Sequence, residues 1–147
     1  MSLTRDEVHG GEFDWFAVDA KGHIALCSTA GYGEIPASVL AASTEEVSPI
    51  DCIDELVRNL PAIGIATSEG RGPGSCEEWP ALAQRGIFIY DWKHWDGPYE
   101  RIVVPTQPIR AANIPAPLLS KLLTVTTGFC FEAATAFSMK SGEPLAE

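Results

Sequence analysis

Positively charged residues are scarce in this sequence. Its 147 residues include ten Lys and Arg against twenty Asp and Glu, which gives a formal net charge of −10. The basic residues are also dispersed along the chain, whereas nucleic-acid binding depends on clustered Lys and Arg side chains that contact phosphates. We therefore expect no nucleic-acid partner. A negatively charged surface favours a basic protein partner instead.

Long apolar runs are absent as well. No stretch approaches the roughly 20 apolar residues that a membrane-spanning helix requires. Residues 1–11 include Arg5, Asp6 and Glu7 and lack the apolar segment that is typical of a signal peptide. We therefore expect a cytoplasmic protein that makes no contact with a membrane.

The sequence also lacks closely spaced metal ligands. Structural zinc sites use ligand pairs a few residues apart, and disulfide frameworks belong to oxidising compartments. Neither pattern is present, so we expect no metal, no cofactor and no disulfide. Three of the four cysteines lie in apolar patterns, where a thiol behaves as a small buried hydrophobe. These three are Cys27, Cys52 and Cys130.

The length and the apolar content are those of one ordinary domain. Apolar residues make up 46% of the chain and charged residues 20%, so the chain can bury roughly two-thirds of its unfolded surface on folding. The sequence shows no internal repeat and no linker to a second domain. We therefore predict a single domain over residues 1–147, with mobile ends at residues 1–11 and 141–147.

Alternating apolar residues and turn signals predict about five strands. Residues 13–19 and 23–28 flank a glycine turn and indicate a hairpin, and residues 86–92 and 99–105 indicate a second one. In the second hairpin, Trp92 and Tyr99 are expected to be cross-strand neighbours. Shorter strands are predicted at residues 62–67, which we expect to be buried, and at residues 124–131.

Helix signals predict two or three helices. Ser48 is a capping residue, Pro49 suits the first helical position, and Pro61 ends this first helix. A second helix is predicted to begin at Pro80 and to stop at Gly86, and a short third one at residues 118–123. The elements show no regular βαβ alternation. They predict an α+β domain with a mostly antiparallel sheet.

The excess of negative charge lies in the first third of the chain. Residues 1–55 contain eleven acidic residues and only two basic ones, whereas residues 56–147 contain nine acidic and eight basic residues. The helix that starts at Pro49 has an apolar face, which leaves its acidic residues in water. We predict an acidic surface that binds a basic protein partner, with two aromatic residues as apolar anchors. The acidic residues are Glu45, Glu46, Asp51, Asp54 and Glu55, and the anchors are Tyr32 and Trp95.

Residues 13–36 resemble the opening of small uncharacterised bacterial proteins. The resemblance lies in Phe13-Asp-Trp-Phe-Ala-Val-Asp-Ala-Lys-Gly-His-Ile-Ala and in Ala30-Gly-Tyr-Gly-Glu-Ile-Pro36. Some of these proteins are similar to the immunity proteins of toxin systems. The resemblance implies a binding role, with a toxin as the basic partner, and it implies no catalytic residues.

Two other hypotheses stay open. In the first, the protein is a small enzyme that uses Cys76 as a nucleophile, with His94 and Asp96, beside the glycine-rich segment 70–74. That segment lacks the Gly-Lys-Ser/Thr ending of a phosphate loop, and Pro73 removes one backbone amide. In the second, the protein is a structural subunit of an oligomer. We prefer a non-enzymatic role, and the sequence leaves the oligomeric state undecided.

Overall fold

One mixed β-sheet forms the centre of the structure. The computed structural model describes residues 14–29, 33–36, 39, 49–68, 78–92, 97–120, 122, 124–140 and 143–146. The strands are β1 (Asp14–Val18), β2 (Ile24–Ser28), β3 (Ala66–Ser68), β4 (Phe88–Trp92), β5 (Tyr99–Pro105), β6 (Thr124–Thr126), β7 (Ala136–Lys140) and β8 (Glu143–Ala146). The helices are α1 (Pro49–Asn59), α2 (Glu78–Gln84) and α3 (Ala116–Leu119), with a 3-10 turn at Ala111–Asn113.

Most of the strand pairings are antiparallel. Seven strands follow the order β6-β1-β2-β4-β5-β7-β8, and β3 pairs with β5 outside this series. The β1–β2, β3–β5, β4–β5, β5–β7 and β7–β8 pairs are antiparallel. The β1–β6 and β2–β4 pairs are parallel. The α+β class is therefore confirmed, but the sheet has more strands than the five expected and it is mixed.

The first predicted hairpin is confirmed, and a side chain organises its turn. Val18 of β1 lies opposite Ile24 of β2. The Asp19 carboxylate oxygen Oδ1 accepts hydrogen bonds from the backbone N–H groups of Lys21 and His23, at 2.9 and 2.8 Å. Gly22 has a φ of 85°, a conformation that glycine adopts without strain. These local contacts set the register of the hairpin.

The second predicted hairpin is also confirmed. Trp92 at the end of β4 lies opposite Tyr99 at the start of β5. Their ring centroids are 4.8 Å apart and the ring planes meet at 66°. Aromatic pairs prefer this edge-to-face geometry. The cross-strand contact that the sequence predicts is therefore present.

The α1 helix has the predicted start and is followed by the predicted proline. It begins at Pro49 and ends at Asn59, two residues before Pro61. The predicted cap, Ser48, lies outside the described residues. The side chains of Ile53 and Leu56 are fully buried, which confirms the predicted apolar face.

The α2 helix begins earlier than predicted, at Glu78, so that Pro80 is its third residue. The N–H groups of the first turn have no acceptor inside a helix, so a proline there removes no hydrogen bond. The predicted stop is confirmed. The N–H groups of Gly86 and Ile87 donate to the carbonyls of Ala83 and Leu82, and Gly86 has a φ of 97°, which is the Schellman arrangement.

The predicted strand at residues 62–67 is largely wrong. Only Ala66–Ser68 forms a strand, and Ile63 and Ile65 are 38% and 69% exposed rather than buried. The N–H groups of Ile63 and Gly64 both donate to the carbonyl of Gln84 at the end of α2, at 2.9 and 3.0 Å. These bonds attach the backbone to α2, so it is not available to the sheet.

The C-terminal elements also differ from the prediction. The expected helix at residues 118–123 is observed at Ala116–Leu119, and the expected strand at 124–131 is only Thr124–Thr126. The sequence predicts no strand beyond residue 131, yet β7 and β8 pair there. The predicted mobility of residues 141–147 stays a prediction, and residues 1–11 lie outside the described residues.

Both faces of the sheet are covered, because alternate residues of each strand enter different cores. On the helix face, side chains of β1, β2 and β4 pack against all three helices. On the aromatic face, they pack against residues of the 127–135 loop and of β7. The helix-face core contains Phe16, Ile24, Leu26, Ile53, Leu56, Leu60, Leu82, Ala83, Ile87, Ile89, Ile102, Val103, Ile114, Leu118 and Leu122. The aromatic-face core contains Trp15, Ala17, Ala25, Cys27, Ile35, Val39, Phe88, Tyr90, Trp92, Tyr99, Phe131 and Phe137.

Candidate functional site

The α1 helix presents part of the predicted acidic surface to solvent. Asp54 is exposed and Glu55 is half-buried, because Ile53 and Leu56 occupy the buried face of the helix. Asp51 lies in the first turn of α1 by its backbone position, and its side chain lies outside the described part of the chain. The structure therefore brings Asp54 and Glu55 together on one element.

A positive charge lies within this acidic stretch. Arg58 is exposed in the last turn of α1 and its Nε atom lies 3.4 Å from the carbonyl oxygen of Asp54. Residues four apart share a helix face. The charge of this part of α1 is thus less negative than its acidic residues alone suggest, and cations near a helix C-terminus are favourable.

Arg85 joins the C-terminal ends of α1 and α2. Its Nε atom donates to the carbonyls of Val57 and Leu60 at 2.9 and 3.1 Å, and its Nη1 atom donates to the carbonyl of Ala81 at 2.8 Å. The last carbonyls of a helix receive no hydrogen bond from a backbone N–H group of the same helix. An arginine at the helix end supplies the donor that water would otherwise provide. Arg85 therefore positions the chain as it leaves α1.

Residues 61–65, which we call the 61–65 segment, expose apolar side chains. Ile63 and Ile65 are the exposed large hydrophobic residues within the described ranges, with Ile65 at 69%. Besides the two bonds to Gln84, the N–H of Ile65 donates to Oγ1 of Thr106 at 2.8 Å. The backbone of this segment is therefore fixed by hydrogen bonds while its isoleucines face water.

A pocket of about 330 Å³ lies at the base of this segment. Its volume falls at the lower end of the range typical of small-ligand sites. Five of its seven lining residues are apolar, and the other two contribute one guanidinium and one amide group. The lining residues are Leu60, Pro61, Ile63, Arg85, Pro108, Ile109 and Asn113.

A second polar cluster lies at the β1–β2 turn. The fully buried carboxylate of Asp19 accepts a third backbone bond through Oδ2, from the N–H of Phe131 at 2.9 Å. His23 Nδ1 lies 3.3 Å from Glu132 Oε1 and 3.7 Å from Asp19 Oδ2, and it is buried without a hydrogen bond. Three backbone donors on one carboxylate indicate a structural role, since they connect the turn to the 127–135 loop.

Two further side chains hold the same loop. The Tyr90 hydroxyl donates to the carbonyl of Ala134 at 2.5 Å. Arg101 Nη1 donates to the carbonyls of Phe131 and Glu132, at 2.6 and 2.9 Å. The loop has no regular structure of its own, and its backbone is satisfied by side chains of β4 and β5.

Cys27, the buried cysteine of the aromatic-face core, is poorly suited to nucleophilic chemistry. Burial raises the pKa of the Cys27 thiol well above its ordinary value of 9.0, and the nearby Asp14 charge raises it further. Burial likewise raises the pKa of Tyr99, whose hydroxyl accepts from Trp15 Nε1 at 3.1 Å and donates to the Glu34 carbonyl at 2.6 Å. A neutral buried thiol is a poor nucleophile.

The remaining predicted site residues cannot be placed in this geometry. They lie outside the described residues, together with the glycine-rich segment 70–74, so neither the anchor prediction nor the enzyme hypothesis is tested. These residues are Tyr32, Glu45, Glu46, Cys76, His94, Trp95 and Asp96. In the part of the chain that is described, no group of three or more His, Cys, Asp or Glu side chains is arranged to hold a metal ion.

Sequence reasoning missed Arg85, Asn113 and the exposure of Ile65. A basic residue directly before the Gly86 stop is a signal for helix capping, and it could have identified Arg85. No local pattern distinguishes Ile65 from a buried strand residue, because its exposure depends on Gln84 and Thr106.

Comparison of the chain with protein-family models, with curated proteins and with solved structures finds no match. Within the described ranges, none of the helices has the length and apolar character that crossing a bilayer would require. The resemblance of residues 13–36 to immunity-like proteins therefore stays a prediction.

Proposed function

We propose that this protein is a non-enzymatic binding protein that engages a basic protein partner through α1 and the 61–65 segment. The observation that carries the proposal is the exposed pair Ile63 and Ile65, which directly follows the acidic helix. Apolar anchors surrounded by charged residues are the usual anatomy of a protein interface.

The exposure of the two isoleucines supports a partner, because backbone hydrogen bonds hold these residues in place. Backbone bonds to Gln84 and Thr106 keep Ile63 and Ile65 partly at the surface, at 38% and 69% exposure. Complete burial of a fully exposed isoleucine is favourable by about 1.5–3 kcal/mol, and Ile65 retains the larger share of this free energy. A partner that covers the 61–65 segment recovers this free energy. The apolar contact supplies affinity, and the acidic residues supply orientation.

The charge of the chain supports a basic partner. The net charge is −10, and Asp54 and Glu55 lie on the helix that leads into the 61–65 segment. Opposite charge accelerates association and selects against acidic competitors. Together with the resemblance of residues 13–36, this supports an immunity-like protein whose partner is a cationic toxin, in the cytoplasm.

The proposal is tested with two variants, one that removes the exposed isoleucines and one that removes the acidic charges of α1. The immobilised protein is used to capture its partner from a lysate of the native host, and association rates are then measured with the purified partner at several salt concentrations. We expect Ile63→Ser/Ile65→Ser to weaken binding and Asp54→Asn/Glu55→Gln to slow association mainly at low salt.

The matched control carries the same change in net charge outside α1 and the 61–65 segment. Thr126→Lys/Thr135→Lys alters the charge by +2, as does Asp54→Asn/Glu55→Gln, and both threonines are exposed. If the control slows association as much as the α1 variant, only the net charge matters and the proposed surface is wrong. If neither isoleucine substitution weakens binding, the apolar contact lies elsewhere.

The exposed isoleucines also favour one alternative, the structural subunit of an oligomer. A second copy of the chain would cover the 61–65 segment in the same way as a foreign partner. Light scattering decides between them, because an oligomer that dissociates in Ile63→Ser/Ile65→Ser would assign the surface to self-association.

A further inference from the structure

Two polar residues, Arg85 and Asn113, line the pocket at the 61–65 segment. Their hydrogen bonds within the protein do not involve all of their donor groups. The three hydrogen bonds of Arg85 involve Nε and Nη1, so Nη2 has no partner within the described residues. Asn113 Oδ1 accepts from the backbone N–H of Arg110 at 3.0 Å, which leaves the Nδ2 amide group as a donor. Both residues line the pocket, and each keeps a donor that is not used within the described residues, one of them on a charged group.

The other walls of the pocket are apolar. The apolar lining residues are Leu60, Pro61, Ile63, Pro108 and Ile109. A ligand that fits these walls has an apolar body, and its polar end must accept hydrogen bonds from Arg85 and Asn113. Because Arg85 is the single charged side chain in the lining, a ligand with one negative charge balances it.

We propose that this pocket binds a monocarboxylate with an apolar body. The two carboxylate oxygens accept hydrogen bonds from Arg85 Nη2 and Asn113 Nδ2, and the apolar body lies between Leu60, Pro61 and Ile109. This site goes beyond the proposed binding of a basic protein, because it takes a small acid through Arg85 and Asn113, although Pro61 and Ile63 belong to both surfaces.

The guanidinium of Arg85 is already ordered for this role. Carbonyls of both α1 and α2 hold it by Nε and Nη1, so a ligand does not have to immobilise a flexible side chain. Preorganisation of this kind removes part of the entropic cost of binding. Hydrogen bonds between charged groups are also about twice as strong as neutral ones.

The test uses hexanoate as the probe and hexanamide as its neutral counterpart. Backbone amide signals are followed by NMR during titration of the full chain with each compound. We expect saturable shifts at Ile63, Ile109 and Asn113 with hexanoate, and binding of hexanamide weaker by about tenfold or more. Equal binding of the two compounds, or no saturable shift with hexanoate, overturns the proposal.

The decisive variant is Asn113→Asp, which places a second carboxylate in the pocket. The substitution keeps an oxygen that accepts from the N–H of Arg110, so the local turn is preserved. We expect it to reduce the affinity for hexanoate by about tenfold or more, because like charges repel at short range. Unchanged affinity in a folded Asn113→Asp protein contradicts the site.

Ala133→Asp is the matched control, since it adds the same charge at an exposed position outside the pocket lining. It is expected to leave hexanoate binding unchanged, and a loss as large as that of Asn113→Asp would assign the effect to net charge and overturn the site. Thermal unfolding of each variant is recorded beside the titration. Asp54→Asn/Glu55→Gln changes no lining residue of the pocket, and Asn113→Asp changes neither α1 nor the 61–65 segment, so failure of one proposal is distinguishable from failure of the other.

A carboxylate of this kind has two sources, a free organic acid and the carboxyl terminus of a peptide. The peptide Ala-Ala-Leu with a free carboxyl group is compared with its C-terminal amide and with hexanoate. Tighter binding of the free peptide, with loss in the amide, assigns the pocket to a chain terminus. Binding of hexanoate without the peptide assigns it to a free acid, and binding of neither overturns the proposal.

Discussion

The two faces of the sheet are covered by different kinds of structure. On the helix face, aliphatic side chains pack under α1 and α2, and Arg85 joins the two helix ends from the periphery. On the aromatic face, rings such as Trp15 and Phe131 pack tightly, and buried polar side chains hold an irregular loop over them.

This difference shows which side chains are open to a partner or a ligand. On the aromatic face, the polar groups of Asp19, Tyr90 and Tyr99 are consumed by backbone partners inside the protein, so they are not available to a ligand. On the helix face, the capping side chain lies at a surface, and it leaves a pocket and two exposed isoleucines beside it. The first arrangement stabilises the fold, and the second is where we propose that a partner or ligand binds.

Among the polar side chains, the largest effect is expected from Asp19→Ala on the aromatic face. The substitution leaves the backbone donors of Lys21, His23 and Phe131 without their acceptor. We expect a loss of about 3 kcal/mol in the free energy of unfolding, measured by urea denaturation. Glu132→Ala, which alters an exposed member of the same cluster, is expected to cost less than about 0.5 kcal/mol. Equal losses would mean that the backbone bonds of Asp19 are not what holds the loop.

A smaller effect is expected from Arg85→Ala on the helix face. The variant removes the donor for three carbonyls at or just after the helix ends, but Arg85 is only half-buried and water can replace part of its contacts. We expect a loss of about 2 kcal/mol. Arg58→Ala is the matched control, because Arg58 is exposed and contacts one carbonyl at 3.4 Å. If both variants lose the same stability, capping by Arg85 is not specific.

The aromatic face is also expected to be sensitive to alkaline pH. Burial raises the folded-state pKa of Cys27 and Tyr99 above their ordinary values of 9.0 and 10.0, so the folded protein retains protons that the unfolded chain releases. Their contribution to stability is therefore full below pH 9 and falls as the pH rises, by at most about 1.4 kcal/mol per pH unit for each group. Urea unfolding at pH 8, 9 and 10 measures this slope. A slope that persists unchanged in Cys27→Ala would show that Cys27 does not contribute to it.

The smallest effect on stability is expected from Ile65→Ala. Its side chain is largely exposed, so we expect a change within about 0.5 kcal/mol. Ile53→Ala makes the same chemical change at a fully buried position of α1 and is expected to cost about 2–5 kcal/mol. If Ile65→Ala were as costly as Ile53→Ala, the 61–65 segment would be part of the core and not a surface for a partner.

Several elements could be predicted because their determinants are local. The β1–β2 hairpin depends on a turn in which Asp19 binds backbone groups two and four residues away. The end of α2 depends on Gly86, one residue after Arg85, and α1 on prolines at its boundaries. Capping and turn contacts span few residues, so the sequence pattern contains them.

Other elements could not be predicted because their partners are distant. Thr124 of β6 lies opposite Phe16 of β1, in a parallel pair that joins the two halves of the chain. The outer edge of β5 is shared, since β7 pairs with its first residues and β3 with its last. Short strands carry little periodic signal of their own, and only the pairing that they complete identifies them.

The net charge, the two hairpins, the apolar face of α1 and the α+β class can be predicted, because they follow from composition and from contacts within a few residues. The contact of Asp19 with Phe131, the position of Arg85 between two helices, and the exposure of Ile63 and Ile65 at a pocket are visible only in the folded chain. In each of these cases the decisive hydrogen-bond partner comes from a distant segment. Residue types can show which groups need partners, but only the folded chain shows which partners they find.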